Sequence, residues 1–246
     1  MSSTGIDRKG ILAERVAVVT GSTSGIGFAI ARRLAQDGAH VVISSRKQQN
    51  VDRAVAQLQR EGLSVAGIVC HVGKAEDRER LVATALEHCG GVEFLVCCAG
   101  VNPLVGSMLG TSEQIWDKIL NVNCEVPSPA AEPVAALHGE EELGVYNVSK
   151  TALLALTRTL ALELAPKDIR VNCLVPGVIK TDFSKVVRIG YVGMSLSSST
   201  SGSIIRCRGK FGEPEDCAGV VSFLCSPDAS YITGENIAVA GFSSRL

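Results

Sequence analysis

Aromatic residues and net charge are both scarce in this chain of 246 residues. Phe, Trp and Tyr make up 4% of it and apolar residues 46%, so we expect a core of Ala, Val, Leu and Ile. The net charge of −1 excludes the basic footprint of a nucleic-acid-binding protein or of a polybasic membrane surface. No apolar run reaches the roughly 18 residues that a membrane-spanning helix needs. These absences predict a protein with no nucleic-acid partner and no membrane span.

The nine cysteines are not spaced as metal ligands or as a disulfide framework. No C-x-x-C motif occurs and only four histidines are present, so we expect neither a metal site nor disulfides. Reduced thiols are typical of an intracellular protein. The first residues, MSSTGIDRKGIL, lack an apolar signal segment, and the last three, SRL, differ by one residue from the peroxisomal signal SKL. We therefore expect an intracellular location in the peroxisome, with the mitochondrion, nucleus or cytoplasm as alternatives.

Short apolar, β-branched runs alternate with segments of helical periodicity along the chain. Nearly all-apolar strands separated by helices are typical of a parallel sheet that helices cover on both faces. Right-handed crossovers then place a ligand at the carboxyl ends of the strands. We predict one α/β domain over residues 1–246, a doubly wound parallel sheet of the Rossmann-like type, with strands at 15–21, 40–45, 65–70, 94–100, 169–177 and 236–241.

Two atypical segments, 124–144 and 186–210, interrupt this alternation. Prolines 127, 129 and 133 prevent the first from forming a central strand or an uninterrupted helix. The second is rich in Ser and Gly and has no usable period. We therefore predict that the sheet lacks its fifth strand.

The stretch VVTGSTSGIG joins the first predicted strand to the first helix. Gly21, Gly25 and Gly27 remove side chains where the backbone must turn towards a pyrophosphate, and the helix N-terminus supplies free N–H groups. In this position the pattern T-G-x-x-x-G-x-G indicates a dinucleotide site. After the second strand, Ser45 and Arg46 stand where NAD enzymes commonly carry an acid. A guanidinium binds a 2′-phosphate bidentately, so we predict NADP(H), with a solvated surface arginine as the alternative.

Tyr146 and Lys150 lie one helical turn apart in YNVSKTALLALTRTLALELAP, so their side chains share a face. A free phenol has a pKa of about 10. A nearby ammonium stabilises the phenolate and lowers that pKa. The tyrosine could then donate a proton to a carbonyl oxygen, or accept it in the reverse direction. The pair alone would be an ordinary helix face, but the upstream nucleotide motif favours the catalytic interpretation.

The motifs TGSTSGIG, CCAG, NVN, YNVSK, RVNCLVPG and IKT occur in the order typical of classical short-chain dehydrogenases/reductases, which the chain resembles over most of its length. The resemblance implies an NADPH-dependent reductase of carbonyl or dicarbonyl compounds that forms dimers or tetramers. It implies that Tyr146 is the acid/base, that Lys150 activates it and binds the ribose, and that Asn123 holds a water of the proton relay. His71 and Val72 are expected near the adenine, with a surface role as the alternative for His71. The residues expected to bind the cofactor are Thr20, Gly21, Ser22, Ser24, Gly25, Ile26, Gly27, Ser45, Arg46, His71, Val72, Ala99, Gly100, Tyr146, Lys150, Pro176, Gly177, Val178 and Thr181.

The chain departs from the family pattern in ways that weaken this function. CCAG replaces NNAG, and Pro133 stands where the family has its catalytic serine. The nearest upstream serine, Ser128, lies between two prolines. We therefore expect an impaired reductase, or alternatively a non-catalytic nucleotide-binding or protein-binding remnant. Read one or two bases out of frame with plausible codons, both atypical segments give family-like sequence, which supports the hypothesis that they are out-of-frame or mis-spliced products; sequencing the transcript tests it.

Overall fold

The computed structural model describes residues 10–104, 107–125, 143–184 and 211–241. The strands in these ranges are β1 Val16–Thr20, β2 His40–Ser45, β3 Val65–Val69, β4 Phe94–Cys97, β5 Cys173–Pro176 and β6 Asn236–Val239. The α-helices are α1 Gly25–Gln36, α2 Gln48–Arg60, α3 Ala75–Cys89, α4 Glu113–Leu120, α5 Gly144–Leu164 and α6 Pro214–Cys225. A π-helical turn, Asn121–Glu125, follows α4.

The strands form two parallel sheets. Four of them pair in the order β3-β2-β1-β4, and β5 pairs with β6. A helix or a helical turn follows each of β1, β2, β3 and β4 in the chain, as strand–helix alternation requires. The predicted parallel sheet of the Rossmann-like type is confirmed.

Helices cover both faces of the larger sheet, because alternate side chains of a strand point to opposite faces. Ala17 and Val19 of β1 belong to an apolar cluster that includes Ile30 and Leu34 of α1. Val18, between them, belongs to a second cluster that includes Leu81 of α3. Side chains buried on both faces explain why β1 reads as a continuous apolar run.

No strand within the described ranges lies between β4 and β5. The segment on which the predicted absence of the fifth strand depends, with its three prolines, lies outside the described residues, so that absence stays a prediction. Leu95 of β4 is 58% exposed, although its partner in the register, Val18, is buried. The described part of the chain therefore leaves one face of β4 uncovered.

The β5–β6 pair is attached to the first half of the chain through helices. Leu174 of β5 and Val221 of α6 belong to the same apolar cluster as Leu34 of α1. The Ser222 hydroxyl of α6 also donates a hydrogen bond to the Asp37 carboxylate at the end of α1. The core therefore continues across the gap between the two sheets.

Side chains before β5 hold the connection that leads into β6. The Arg170 guanidinium donates to the carbonyl oxygens of Leu224 and Ile232, at 2.6 and 3.1 Å. Asn172 Nδ2 donates to the same Ile232 oxygen at 2.9 Å. The Val171 main-chain N–H donates to Thr233 Oγ1 at 3.1 Å and not to a main-chain carbonyl group, and β5 begins at Cys173.

Candidate active site

A cleft of about 320 Å³ lies at the carboxyl ends of the first four strands. The turn after β1, the start of α5 and residues 181–183 form its walls. The predicted site residues that line it are Gly21, Ser24, Gly25, Ile26, Gly27, Ser45, Arg46, His71, Val72, Ala99, Gly100, Tyr146, Lys150 and Thr181. The topology thus brings together residues that are far apart in the sequence, at the edge of the sheet where parallel strands place ligands.

The turn from β1 into α1 can adopt its path only with glycine. Gly21 and Gly25 have φ values of +59° and +57°, in the left-handed region that other residues avoid. A Cβ on Gly27 would lie 2.6 Å from the Gly21 carbonyl oxygen. The turn therefore presents main chain, rather than side chains, to the cleft at the N-terminus of α1.

Two predicted ligands of this region, Thr20 and Ser22, support the turn and do not line the cleft. Thr20 Oγ1 accepts hydrogen bonds from the backbone N–H groups of Cys98 and Ala99, at 3.1 and 3.3 Å. Ser22 Oγ donates to the Val19 carbonyl oxygen and accepts from the Ser44 N–H. Both hydroxyls thus tie the carboxyl end of β1 to its neighbours β4 and β2.

The end of β2 carries a positive group into the cleft. Arg46 is exposed, and its guanidinium makes no ion pair or hydrogen bond with the residues that the structure describes. Asn50, in the first turn of α2, lines the same part of the cleft. The Asn50 Oδ1 accepts a hydrogen bond from Arg53 Nη2 at 3.2 Å, so the amide N–H groups of Asn50 do not face Arg53. The Arg46 guanidinium and the Asn50 amide N–H groups are hydrogen-bond donors, as the binding of a phosphate requires.

Tyr146 and Lys150 meet in the cleft as the sequence predicts. Both are buried, with 3% and 1% of their surfaces exposed. Lys150 Nζ lies 5.2 Å from the centroid of the Tyr146 ring. Phe183 covers the ring from the other wall, with its centroid 6.0 Å away and its plane tilted by 43°. The ammonium therefore lies within cation–π distance of the phenol ring.

Asn123 lies behind this pair, in the π-helical turn, and does not line the cleft. Its Oδ1 accepts from the Val101 N–H at 2.9 Å, and its Nδ2 donates to the Val101 carbonyl oxygen and to Ser149 Oγ, at 3.0 and 3.1 Å. Ser149 Oγ in turn donates to the Tyr146 carbonyl oxygen at 2.7 Å. Both amide donors are therefore in use, and a relay water could be bound only through an acceptor site.

Pro176, Gly177 and Val178 also lie outside the lining of the cleft. The Gly177 N–H donates to the Val239 carbonyl oxygen, and a Cβ on Gly177 would lie 2.9 Å from Ala240 Cα. This segment therefore closes the β5–β6 pair, while Thr181 beyond it lines the cleft. Thr181 Cγ2 would lie 3.2 Å from a Cβ on Gly25, so the two sides of the cleft approach each other here.

Sequence reasoning missed several lining residues. Thr23 stands inside the glycine motif and Asp182 and Phe183 directly follow Thr181, so their positions gave a usable signal. Cys70, Cys98, Val101 and Val122 also adjoin predicted residues, whereas Asn50 lies in a helix that only the fold brings to the cleft. The missed residues are Thr23, Asn50, Cys70, Cys98, Val101, Val122, Asp182 and Phe183. Pro133 and Ser128, which bear on the missing serine, lie outside the described residues.

The free thiols are those of Cys70, Cys97, Cys98, Cys124, Cys173, Cys217 and Cys225. In the described ranges no three His, Cys, Asp or Glu side chains cluster as metal ligands, and no helix could cross a membrane. Burial raises the pKa of Cys97 and Cys225 to about 12 and that of Cys173 to about 11, from 9.0. Burial also raises the pKa of Cys98, which lines the cleft. These thiols are therefore poor nucleophiles at neutral pH.

We expect the buried thiols to make the fold sensitive to alkaline pH. Their stabilising contribution is complete below about pH 9, where the unfolded thiol is protonated, and is lost as the pH rises towards the folded-state values. Cys97→Ala should therefore reduce the slope of unfolding free energy against pH, between about pH 9 and 11, by about 1.4 kcal/mol per pH unit. Urea melts at several pH values measure this. An unchanged slope would contradict the assignment.

The family of the chain follows from comparison with known proteins. Residues 15–127 match the family model described as short chain dehydrogenase, and residues 130–242 match the model described as Enoyl-(Acyl carrier protein) reductase. Together with relatives of high identity, these matches show that the chain belongs to the short-chain dehydrogenase/reductase family of oxidoreductases. It is 72% identical to human "Dehydrogenase/reductase SDR family member 2, mitochondrial", over 100% of this chain and 92% of that protein. It is 56% identical to human "Dehydrogenase/reductase SDR family member 4", over 100% and 94%.

Solved structures agree with the fold. A short chain dehydrogenase from Burkholderia cenocepacia, solved in complex with NADP, superposes with a TM-score of 0.80 at 26% identity, covering 94% of this chain and 98% of that one. The alignment with human member 2 spans 263 positions for the 246 residues of this chain, so at least 17 positions have no residue here. The chain is therefore shorter than its relative within the aligned region.

Proposed function

We propose that the chain is an NADP(H)-dependent reductase of carbonyl or dicarbonyl compounds, impaired in its chemical step. One observation carries the proposal, namely that a single cleft holds the glycine turn, Arg46 and the Tyr146–Lys150 pair. The NADP in the Burkholderia relative supports the choice of cofactor. The 72% identity to a dehydrogenase/reductase supports the reaction class.

The residues present fit a phosphorylated dinucleotide. The turn at Gly21–Gly27 leaves room for main-chain contact with a pyrophosphate, and a Cβ on Gly21 would lie 2.9 Å from Ala99 Cα. Arg46 would bind the 2′-phosphate, with Ser45 and Asn50 as further donors. His71 and Val72 would border the adenine, and Lys150 would bind the nicotinamide ribose. When bound, the nicotinamide would supply a hydride.

Tyr146 is the group that would move the proton. Its Oη would donate to the carbonyl oxygen of the substrate, which removes the charge that would otherwise develop there. The Lys150 ammonium favours the phenolate that remains, because opposite charges attract more strongly where both side chains are buried. Asn123 positions the site by fixing Val101 and Ser149 behind the pair.

The missing serine is the reason to expect impairment. A second donor to the substrate oxygen is usually worth about 10²–10³ in rate. No serine stands at the family position in this sequence, where Pro133 is found. The alternative is a non-catalytic nucleotide-binding or protein-binding remnant, which would bind the cofactor without turnover.

Arg46→Asp should reverse the cofactor preference. We expect the affinity for NADPH to fall about a hundredfold, since charged hydrogen bonds contribute about 1.5–3 kcal/mol each. The affinity for NADH should be retained or improved. Fluorescence titration with both dinucleotides measures the change. Arg60→Asp is the matched control, because Arg60 lies at the far end of α2 and does not line the cleft. A wild-type preference for NADH, or an unchanged preference in Arg46→Asp, would refute NADP(H) specificity.

We also propose an assembly state and a location for the chain. Val148 and Leu162 are 43% and 78% exposed on one side of α5, which favours association into a homodimer or homotetramer. Sedimentation velocity measures the oligomeric state.

The relative's name, "mitochondrial", favours the mitochondrion, whereas the sequence SRL, outside the described residues, favours the peroxisome. Imaging of the untagged chain with antibodies separates the two.

A further inference from the structure

The turn that carries Thr181 and Phe183 to the cleft is closed by one buried side chain, that of Ser184. Ser184 is 2% exposed. Its hydroxyl donates a hydrogen bond to the Ile179 carbonyl oxygen at 2.5 Å and accepts one from the Thr181 backbone N–H at 3.2 Å. The Ser184 hydroxyl thus ties the start and the middle of the turn to its end.

The same turn fixes the rotamer of Thr181. The Ser184 backbone N–H donates to Thr181 Oγ1 at 3.2 Å. On the other branch of the side chain, Thr181 Cγ2 would lie 3.2 Å from a Cβ on Gly25. A β-branched side chain that makes contacts on both branches is left with one χ1 value. Ser184 therefore holds the Thr181 hydroxyl on its own side of the turn while the methyl group faces Gly25.

This arrangement leaves the proton of the Thr181 hydroxyl for a ligand. A hydroxyl has one proton to donate and two lone pairs that accept, and the Ser184 N–H occupies one lone pair of Thr181 Oγ1. The distance from Thr181 Oγ1 to Ser184 Oγ is 3.4 Å, longer than the roughly 2.5–3.0 Å of a normal bond between hydroxyl groups. An acceptor in the cleft would therefore receive a better hydrogen bond from Thr181 than Ser184 Oγ does.

The position of Tyr146 indicates which end of the cofactor Thr181 would border. A proton and a hydride must reach the two atoms of one carbonyl group, so the nicotinamide would lie beside Tyr146. Phe183 contacts the Tyr146 ring, with the centroids 6.0 Å apart, and Thr181 precedes Phe183 by two residues on the same wall. The carboxamide of a nicotinamide has a carbonyl oxygen that can accept a hydrogen bond from the Thr181 hydroxyl.

We propose that Ser184 is a positioning residue for hydride transfer. It holds Thr181 in the rotamer whose hydroxyl can donate to the nicotinamide carboxamide, and it thereby keeps the nicotinamide beside Tyr146. Ser184 itself does not line the cleft, so an effect of its hydroxyl on the cofactor must pass through the turn. The inference rests on the proposed NADP(H) function and adds to it a residue that acts through another.

Ser184→Ala tests this role through two ligands that differ in the nicotinamide. We expect the affinity for NADPH to fall about tenfold, which corresponds to one hydrogen bond of about 1.4 kcal/mol. The affinity for 2′,5′-ADP, which has no nicotinamide, should stay within about twofold of wild type. Isothermal titration calorimetry of the full chain measures both affinities.

A double-mutant cycle with Thr181→Val tests whether Ser184 acts through Thr181. Val keeps the shape of Thr and removes the hydroxyl, so Thr181→Val should also lose about tenfold in NADPH affinity. In the Thr181→Val background, Ser184→Ala should add less than about twofold, because the group that it positions is already absent.

Ser226→Ala is the matched control. Ser226 is 3% exposed, and its hydroxyl donates to the Phe223 carbonyl oxygen at 2.7 Å, at the end of α6 and outside the lining of the cleft. Both Ala variants remove a buried hydroxyl from a turn, so both should lower the midpoint of urea denaturation. Only Ser184→Ala should weaken NADPH binding.

Several results would overturn the role of Ser184. They are an unchanged NADPH affinity in Ser184→Ala or in Thr181→Val, an equal loss for both ligands in Ser184→Ala, a loss of NADPH affinity in Ser226→Ala, and a full tenfold loss when Ser184→Ala is added to Thr181→Val. Wild-type protein that binds neither NADPH nor 2′,5′-ADP would instead overturn the proposed cofactor site.

Discussion

Tyr146→Phe removes at least about a hundredfold of the turnover that wild type shows with NADPH and a diketone, and leaves the Kd for NADPH within about threefold. The size of the effect follows from general acid catalysis, which contributes about 10²–10⁴ in rate. Phe keeps the ring that Phe183 and the Lys150 ammonium contact, and it removes only the hydroxyl. Binding and folding should therefore be nearly unchanged. Steady-state kinetics and a fluorescence titration on the same preparation measure the two quantities.

Tyr231→Phe is the matched control for this change. Tyr231 is fully exposed and does not line the cleft. The substitution removes the same hydroxyl there, so the turnover of Tyr231→Phe should equal that of wild type. Equal turnover by Tyr146→Phe and wild type would refute the proton-transfer role. Wild-type protein that binds NADPH with no turnover of any diketone would favour the non-catalytic remnant. The two proposed functions are thus separated by one pair of assays.

Gly27→Ala weakens NADPH binding about a hundredfold and lowers the free energy of unfolding by about 1–3 kcal/mol, the usual cost of overpacking. Alanine at an ordinary helical position stabilises by about 0.5–1 kcal/mol relative to glycine, so the packing decides the sign. The new Cβ would lie 2.6 Å from the Gly21 carbonyl oxygen and 3.0 Å from Ser22 Cα. Both are main-chain atoms, so the turn itself must move. Displacing two N–H groups from a pyrophosphate accounts for the lost affinity, at about 1.5 kcal/mol each.

Gly110→Ala is the control for this substitution. A Cβ on Gly110 would meet nothing within 4 Å, and its φ lies outside the left-handed region. Urea denaturation and NADPH titration of both variants should therefore show an effect only at position 27. Normal NADPH affinity in Gly27→Ala would show that the turn after β1 does not bind the cofactor.

The fold could be predicted because buried strands and helices each require a characteristic spacing of apolar residues in the local sequence. The six apolar runs all became strands, since burial on both faces requires Val, Ile and Leu at consecutive positions, as in β1. Strand ends were less predictable. The run 169–177 shortened to Cys173–Pro176, and the Val171 N–H bonds to the Thr233 hydroxyl and not to main chain, a contact with no signature in the local sequence.

The candidate site was predictable where a motif carries the chemistry. The glycine turn and the Tyr146–Lys150 pair keep fixed spacings, so sequence reasoning located them. Asn50 was missed because an asparagine in the first turn of a helix has no distinctive signal. Thr20 and Ser22 were expected to bind the cofactor because they stand in the motif, but their hydroxyls satisfy the main chain of adjacent strands. A spacing therefore locates a loop without showing which of its side chains point outward.

The way in which the β5–β6 pair is attached has a consequence for how the molecule tolerates damage. Because α6 packs on α1, the last third of the chain is joined to the first half by apolar contacts between helices. Such contacts are less directional than a ladder of strand hydrogen bonds and adapt to small shifts of one partner. An altered middle segment would then disturb the alignment of Thr181 with Gly25 across the cleft before it separates the two halves. The two walls of the cleft can thus lose their alignment, and the chain its activity, before the chain unfolds.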